Sequence, residues 1–258
     1  MHLIHVTNIE NFKGIINNKF KISQCREIFE YVDLENSQTS RGDFFFPMIS
    51  FFGMTLDEHI RFNNNYGNLG LIFDDEILKR SDLNPVRYVL KYSIIAKNIT
   101  EFEKNKVNVS FTGSTPIISG AGGISTYMFE MFLKNEGNGF RYNSIRMWME
   151  NIAYSKNFHS ELERRDKNTG EYIIVDENYY FGLEREWRII PKRLFTNFDK
   201  TNVRMNDDEF AEIYTNIDLL KYLIRIIVNP INKDSVQKIL SQYKLSSIEI
   251  ICDDNYNK

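Results

Sequence analysis

Residues 179–191 (YYFGLEREWRIIP) combine the composition of a β-strand with charges at alternating positions. Aromatic and β-branched residues favour a strand, and Pro191 is typical of its end. Because successive strand side chains point to opposite faces, Glu184, Glu186 and Arg188 are predicted to lie on one face. The chain must therefore fold into a sheet that accommodates two carboxylates and a guanidinium side by side.

This charged face has two interpretations. The first is a solvent-facing side of a half-buried antiparallel strand, which is common. The second is a functional site. Two carboxylates two residues apart repel each other, so the pKa of one is expected to rise, while Arg188 keeps the other ionised. The spacing alone does not separate these interpretations.

Composition places the chain among globular proteins. Its 258 residues suffice for one domain with an insertion, and 42% are hydrophobic. A net charge of −3 does not indicate nucleic acid or an anionic membrane as a partner. Cys25 and Cys252 lie near opposite ends, so we expect reduced thiols with neither a disulfide framework nor a zinc site. No stretch predicts a signal peptide or a membrane span, and we expect a cytoplasmic protein.

The first third of the chain alternates predicted strands and helices. Thr7 and Glu10 have the spacing of a capping box, with Thr7 as N-cap of a helix, and Thr55 and Glu58 repeat the pattern. Ser50 is the only polar side chain in an aromatic stretch that predicts a buried strand. The predicted segments are a strand at 2–6, a helix from 9, a polar surface loop at 31–43, a strand at 44–52, a helix at 55–64, a strand at 69–73, a short helix at 74–80 and a strand at 86–92.

The remainder predicts a helical insertion at about 93–170, followed by strands. Gly120 to Gly123 fit a flexible turn better than a phosphate-binding loop, and the charged run that contains His159 is typical of a solvated helix end or loop. The predicted segments are helices near 94–104, 124–135 and 144–156, strands at 171–175, 180–190 and 223–228, a helix at 233–243 and a strand at 247–252. We predict one α+β domain, residues 1–258, with a mixed or antiparallel sheet.

Several stretches together resemble the AbiGi-type family of bacterial abortive phage-infection proteins. The order and spacing of the stretches carry this resemblance, which covers most of the chain outside the insertion. They are residues 5–16 (HVTNIENFKGII), 47–56 (PMISFFGMTL), 66–73 (YGNLGLIF), 83–88 (LNPVRY) and 184–191 (EREWRIIP). The resemblance implies a role in phage defence. It also implies a partner, either a toxin, since these proteins are commonly labelled antitoxins, or a phage component.

The organisation is also similar to that of ADP-ribosyltransferases, including DarT-like enzymes that modify nucleic acid. In that superfamily a first strand supplies His or Arg, a second supplies Ser or Tyr, and a later strand supplies the catalytic Glu. The candidates in that order are His5, Ser50 and Glu186. This resemblance implies a split, mixed or antiparallel sheet, NAD as substrate, and a nucleic acid or a protein as acceptor.

The similarity assigns a role to each candidate. Glu186 is the first choice for the catalytic carboxylate and Glu184 the second, because cleavage of the nicotinamide bond builds positive charge on the ribose. His5 or Thr7 would fix the ribose, and aromatic residues such as Phe52 would stack on the nicotinamide. Arg41 or Arg188 would pair with the pyrophosphate.

Structural alternatives exist for these residues. His5 fits a half-buried strand histidine bonded to a carbonyl, Thr7 an N-cap, Ser50 an ordinary sheet residue and Arg41 a solvated loop residue. The aromatic strand also lacks the Ser-Thr-Ser of the arginine-specific branch and the tyrosine of the diphtheria-toxin-like branch, so an ADP-ribosyltransferase fold without NAD binding stays open. A metal-dependent nuclease is a weaker hypothesis, because the acidic runs at 74–76 and 207–209 suit helix starts, and no metal site is predicted.

Overall fold

A mixed sheet of eight strands forms the centre of the computed structural model, which describes residues 2–61, 66–104, 108–112, 115–119, 151–166, 169, 171–191 and 216–256. Its strands are β1 (His2–Thr7), β2 (Ser23–Asp33), β3 (Gln38–Met54), β4 (Leu69–Phe73), β5 (Leu83–Pro85), β12 (Glu186–Ile189), β13 (Leu223–Val228) and β14 (Glu249–Cys252). The order is β14-β13-β4-β1-β3-β12-β5, and β2 pairs with the first part of β3. Every pairing in it is antiparallel except β13 with β14. The predicted α+β class with a mixed or antiparallel sheet is confirmed, since the sheet is mixed and mostly antiparallel.

In the part of the chain that the structure describes, short strand pairs and several helices accompany this sheet. The pairs are β6 (Arg87–Val89) with β9 (Ser155–Asn157), β7 (Asn108–Thr112) with β8 (Thr115–Ser119), and β10 (His159–Arg165) with β11 (Tyr172–Tyr180). The helices are α1 (Ile9–Asn18), α2 (Leu56–Arg61), α3 (Ile94–Lys104) and α4 (Pro230–Gln242). A 3-10 turn, Asp75–Lys79, begins at the N-cap Asp74, as the acidic run predicts.

The main apolar core lies between the sheet and helices α1 and α4. Phe12 and Ile15 of α1 and Val236 of α4 pack against strand residues such as Leu71 and Ile226, all of them buried. This burial follows the helical spacing of the apolar residues in both segments. A second apolar cluster lies between the β2–β3 hairpin and α3, where Phe29, Phe44 and Phe46 contact Ile99.

Two capping predictions have different outcomes. At Thr55 the box forms, since its backbone N–H donates to Glu58 Oε2 at 2.8 Å and its hydroxyl accepts from the Glu58 N–H at 3.3 Å. The first box was assigned to the wrong residue. Asn8 caps α1, accepting from the Asn11 N–H at 2.8 Å, while Thr7 is the last residue of β1. Asparagine is at least as good an N-cap as threonine, so the cap lies one residue later than predicted.

The predicted surface loop at 31–43 is also wrong, because β2 and β3 continue through it as a long hairpin. Asp33 closes the turn by accepting from the backbone N–H groups of Glu35 and Asn36 at 3.0 and 3.2 Å. Ser37 follows with φ 52°. A polar, two-stranded ribbon needs few apolar residues, which is why its composition suggested a loop.

The interval 93–170 is not purely helical. The predicted helix at 94–104 is α3, and residues 151–153 are helical, but β7, β8, β9 and β10 also fall in this interval. His159 and its charged neighbours form strand β10 rather than a helix end or loop. The predicted helix at 124–135, the turn at 120–123 and the acidic run at 207–209 lie outside the described residues.

Candidate active site

The predicted strand at 180–190 is broken in the middle, and the break shapes the site. A 3-10 turn, Phe181–Leu183, follows β11, and Arg185 has a left-handed φ of 45° before β12 begins. The turn packs directly on β3, where the Gly53 N–H donates to the Arg185 carbonyl at 3.1 Å. A Cβ on Gly53 would lie 2.7 Å from that oxygen, so only glycine permits this approach.

Glu186, the first residue of β12, is buried and bound on both carboxylate oxygens. Its Oε1 accepts from Arg188 Nε at 2.7 Å, and its Oε2 accepts from Lys156 Nζ at 2.9 Å and from Arg188 Nη2 at 3.1 Å. Its backbone N–H donates to the Tyr88 hydroxyl at 2.7 Å. Burial alone would raise the pKa of Glu186, but Arg188 and Lys156 outweigh it and hold that pKa well below the ordinary value. Glu186 is therefore ionised.

Arg188 lies behind Glu186 and is 0% exposed. Besides Glu186 it donates to Glu27 Oε1 at 2.8 Å and to the backbone carbonyls of Ala153 and Ser155 at 2.8 and 3.3 Å. These contacts tie β12 to β2 and β9. Arg188 therefore positions the Glu186 carboxylate from behind, and its guanidinium is closed to a ligand.

Lys156 completes the site, although the sequence did not single it out. Its ammonium lies 2.9 Å from Glu186 Oε2, 3.4 Å from Glu184 Oε2 and 4.0 Å from the centre of the Phe181 ring. Burial alone would lower the pKa of Lys156, but the two carboxylates raise it well above its ordinary value. The ammonium thus bridges the two glutamates that the sequence predicted to share a face.

Glu184 has the opposite electrostatic character from Glu186. The Tyr66 hydroxyl donates to its Oε1 at 2.8 Å, and the carboxyl group is buried although Tyr66 as a whole is 37% exposed. Burial, together with the negative charge of Glu186, raises the pKa of Glu184 against the opposing effect of Lys156. The split between the two carboxyl pKa values agrees with the sequence expectation.

A simple charge count explains why Glu184 is the carboxyl group whose pKa rises. We call Glu27, Lys156, Glu184, Glu186 and Arg188 the charged cluster; all five are buried or nearly so. Three carboxylates face two cations, so the fully ionised cluster would carry one excess negative charge. Glu184 is not bound by Arg188, so it is the member that gains most from a proton.

The cluster opens on a cleft of about 1020 Å³. Six of the eight candidate residues from the sequence line it: His5, Thr7, Ser50, Phe52, Glu184 and Glu186. Lys156 and Tyr66 line it as well. The sheet order β1-β3-β12 brings the predicted first, second and late strands side by side, which explains this convergence of residues far apart in sequence.

His5 and Ser50 contact each other at the β1–β3 boundary. His5 Nδ1 lies 2.9 Å from the Ser50 carbonyl oxygen, so it carries the proton and Nε2 remains an acceptor. The imidazole is packed between the edges of Phe20 and Phe51, and this burial lowers the pKa of His5. His5 thus has the carbonyl-bonded environment of an ordinary strand histidine and also borders the cleft.

Thr7 and Phe52 occupy the walls of the cleft. Thr7 is buried, and its carbonyl accepts from the Asn68 N–H at 2.9 Å. The Phe52 ring meets Tyr66 edge to face, with 5.5 Å between the ring centres. An aromatic pair beside two carboxyl groups provides a surface for a planar ring.

The two arginines assigned to a pyrophosphate do not line the cleft. Arg188 is enclosed behind Glu186. Arg41 lies on the β2–β3 hairpin, where its guanidinium pairs with Asp43, Glu161 and Glu163 at 3.3, 3.2 and 3.4 Å. Acidic partners already surround both guanidinium groups, so neither is placed to receive a phosphate.

In the part of the chain that the structure describes, no group of three or more His, Cys, Asp or Glu side chains is arranged to hold a metal ion. No helix in the described ranges is long and apolar enough to cross a membrane. Both cysteines are free thiols, and burial together with the charge of Glu27 raises the pKa of Cys25 to about 12.

Fold and site together define an α+β protein with a mixed, mostly antiparallel sheet. Strands of this sheet line a cleft that contains buried, mutually paired charged side chains. Residues 18–232 match the family described as "Putative abortive phage resistance protein AbiGi, antitoxin". The match spans well over half of the chain, which therefore belongs to the AbiGi family, as the resemblance predicted. Membership assigns the chain to abortive phage resistance. No curated protein and no solved structure matches it.

Proposed function

We propose that this chain is an NAD-dependent ADP-ribosyltransferase that acts in the cytoplasm during abortive phage resistance. The observation that supports the proposal most is the convergence of His5, Ser50 and Glu186 on one cleft from three adjacent strands. This is the strand arrangement that the similarity to ADP-ribosyltransferases requires. In this proposal residues 1–258 form one domain with a split sheet, and residues 93–170 are an insertion between the strands of Ser50 and Glu186.

The proposed reaction breaks the bond between ribose C1′ and the nicotinamide nitrogen. Nicotinamide leaves with the bonding electron pair, the acceptor atom bonds to C1′, and the acceptor releases a proton. Positive charge develops on the ribose, and the ionised Glu186 carboxylate stabilises it. Burial and the charge of Glu186 raise the pKa of Glu184, and its carboxylate is the proposed base that takes the acceptor proton.

The lining of the cleft fits the ligand as well as the chemistry. Phe52 and Tyr66 offer aromatic surface for a pyridinium ring, and the His5 imidazole offers a hydrogen-bond acceptor for a ribose hydroxyl. Lys21, an exposed lysine on the lining, takes the place of Arg41 and Arg188 as the proposed pyrophosphate contact. The acceptor is a nucleic acid or a protein.

Nicotinamide release tests this proposal. Purified protein is incubated with NAD and, in separate reactions, DNA, RNA or a bacterial lysate, and free nicotinamide is quantified. We expect release by the wild type and a loss of roughly 100-fold or more in Glu186→Gln, by analogy with removal of one charge-stabilising group. Glu249→Gln, which changes an exposed carboxylate on β14, is the matched control and should release nicotinamide at the wild-type rate.

Unfolding curves must accompany the Glu186→Gln measurement, because this glutamate also pairs with the buried Arg188. A folded variant without release supports a catalytic role. If the wild-type protein neither binds NAD nor releases nicotinamide in any of the mixtures, the enzymatic proposal is wrong.

A second candidate function is a non-catalytic antitoxin that binds a toxin or a phage component. Two observations favour it: the family description names an antitoxin, and Arg188 and Lys156 already occupy both oxygens of Glu186. In that case the chain is harmless when expressed alone. Both the wild type and a folded Glu186→Gln variant then protect cells from a co-expressed toxin of the same defence system. Growth inhibition by the wild type alone would contradict this alternative.

A further inference from the structure

Buried polar groups without a hydrogen-bond partner are concentrated on strands β9, β10 and β11. Among the residues that the structure describes, seven buried side-chain nitrogen or oxygen atoms lack a partner. Four of them belong to three neighbouring residues: both amide atoms of Asn157, Ser160 Oγ and the Tyr179 hydroxyl. Since buried polar groups are almost always paired in proteins, such a concentration calls for an explanation.

The position of these groups points to a ligand. Asn157 is 1% exposed and Ser160 is 7% exposed, and both line the cleft that holds Glu184 and Glu186. Ser160 is directly opposite Tyr179 in the β10–β11 register, so the two side chains share a face. The Tyr179 hydroxyl lies near the Glu184 carboxyl without a hydrogen bond of normal geometry. The unpaired groups thus adjoin the charged cluster.

We propose that Asn157 and Ser160 form a subsite that binds a planar amide, either a carboxamide or the amide edge of a nucleobase. An asparagine side chain presents donors and an acceptor in one plane, and a planar amide presents the complementary acceptor and donor. Ser160 adds one hydroxyl that can donate or accept. A ligand with this edge can pair with both unpaired amide atoms of Asn157, and the Ser160 hydroxyl offers a further partner.

The chemistry of the Asn157 amide disfavours the other simple ligand classes. An anion such as phosphate can pair only with the Asn157 donors and leaves its carbonyl acceptor unpaired. A cation would use only the acceptor and would compete with the ammonium of Lys156. A neutral amide uses both the donors and the acceptor of Asn157 and does not compete with Lys156.

The subsite itself does not depend on transfer chemistry, but the source of the amide rests on the proposed function. If the chain is a transferase, the carboxamide of nicotinamide or the base of a nucleic-acid acceptor is the natural occupant. If the chain is not an enzyme, a nucleobase can still bind there.

Calorimetric titration with small probes tests the subsite. The probes are nicotinamide, cytidine and uridine, with nicotinate as the probe that replaces the amide by a carboxylate. We expect at least one amide probe to bind. If nicotinamide binds, nicotinate should bind at least about 10-fold more weakly. Asn157→Leu and Ser160→Ala should each weaken amide binding by about 10-fold. Ser155→Ala is the matched control from the same strand, because its buried hydroxyl is bonded to the Asn151 carbonyl and does not line the cleft.

Stability of the unliganded protein supplies an independent readout. An unpaired buried amide destabilises the empty protein, so Asn157→Leu, which keeps the branched shape of the side chain and removes its polar atoms, should raise the Tm by roughly 2–4 °C while binding is lost. If Asn157→Leu lowers the Tm and binding is unchanged, or if none of the amide probes binds, the subsite proposal is wrong. If Asn157→Leu and Ser160→Ala both still release nicotinamide from NAD, the subsite proposal is wrong and the transferase proposal stands. If cytidine or uridine binds in a way that requires Asn157 but the wild type releases no nicotinamide, the transferase proposal is wrong and the subsite proposal stands.

Discussion

The apolar core beneath α1 and α4 and the charged cluster around Arg188 are both closed to solvent, but they hold together in different ways. In the core, residues such as Phe12, Leu71 and Val236 contact many neighbours, and no single pair defines the contact. In the charged cluster each charged group has a specific partner, for example Arg188 Nη2 with Glu27 Oε1 at 2.8 Å. Apolar burial is non-directional, whereas buried charges require their partners in place.

This difference predicts how each region responds to substitution. Removing a methyl group from the core leaves a small cavity that neighbours partly fill. Removing one charge from the cluster leaves its partners buried and unpaired, which no neighbour can repair. The charged cluster is therefore the more fragile region, although it adds less to net stability than its short distances suggest.

The largest effect is expected for Arg188→Met. The change leaves Glu27 and Glu186 without their guanidinium, so the free energy of unfolding should fall by about 3–5 kcal/mol. Urea denaturation measures this loss. Arg225→Met is the matched control, because Arg225 pairs with Glu249 on the surface, where the side chains are 41% and 60% exposed. The control should change the same free energy by less than about 1 kcal/mol.

A compensated variant sharpens this prediction. When Glu27→Gln and Glu186→Gln are added to Arg188→Met, three of the five buried charges are removed and Lys156 keeps Glu184 as its partner, so most of the lost stability should return. An Arg188→Met loss no larger than that of the surface control would show that water reaches the cluster, and the contrast with the apolar core would fail.

A smaller effect is expected in the sheet, at Gly70→Ala. A Cβ at this position would lie 2.5 Å from a methyl carbon of Ile227 and 2.8 Å from the Tyr256 hydroxyl, so the neighbours must move. Overpacking of this kind costs about 1–3 kcal/mol of unfolding free energy. Gly14→Ala in α1 is the control, because nothing lies within 4 Å of its added Cβ, and helix propensity should stabilise the protein by about 0.5–1 kcal/mol. Equal losses in both variants would contradict the packing argument.

Helices and their caps could be predicted from the sequence where the spacing of a few neighbouring residues determines them. The capping box at Thr55 and Glu58 and the inward face of α4, with Val236, Ile239 and Leu240, follow from spacing alone. The β2–β3 hairpin was missed, because its tip is polar on both faces and shows no alternation. Its turn did leave a signal in Asp33 and Asn36, whose side chains favour tight turns.

The candidate site was predictable only in part, because its charges come together across long sequence separations. Glu184, Glu186 and Arg188 were found from alternation, although the chain breaks between β11 and β12. Glu27 lies 161 residues from Arg188, and Lys156 lies 30 residues from Glu186 in a segment with no distinctive motif. Pairings at such distances depend on the register of the sheet, which local composition does not encode.

Within the charged cluster, the smallest expected effect concerns the pH dependence contributed by Glu184. Burial and the charge of Glu186 raise its pKa in the folded protein above the ordinary value of 4.5. The folded state therefore binds a proton that the unfolded state has released, and stability is lost as pH rises from 4.5 through the raised pKa. Glu184→Gln has no such proton. The unfolding free energy of the variant minus that of the wild type should therefore increase as pH rises across this window.

Urea denaturation between pH 4 and pH 8 gives the difference between wild type and Glu184→Gln directly. Glu58→Gln is the contrasting control, because the Thr55 N–H and Arg185 lower the pKa of the exposed Glu58 to about 2. For Glu58 the sign is reversed: its contribution is present above pH 4.5 and is lost as pH falls toward 2. If the difference for Glu184→Gln is flat with pH, Lys156 keeps Glu184 ionised, and both carboxylates of the cleft then have the same charge state.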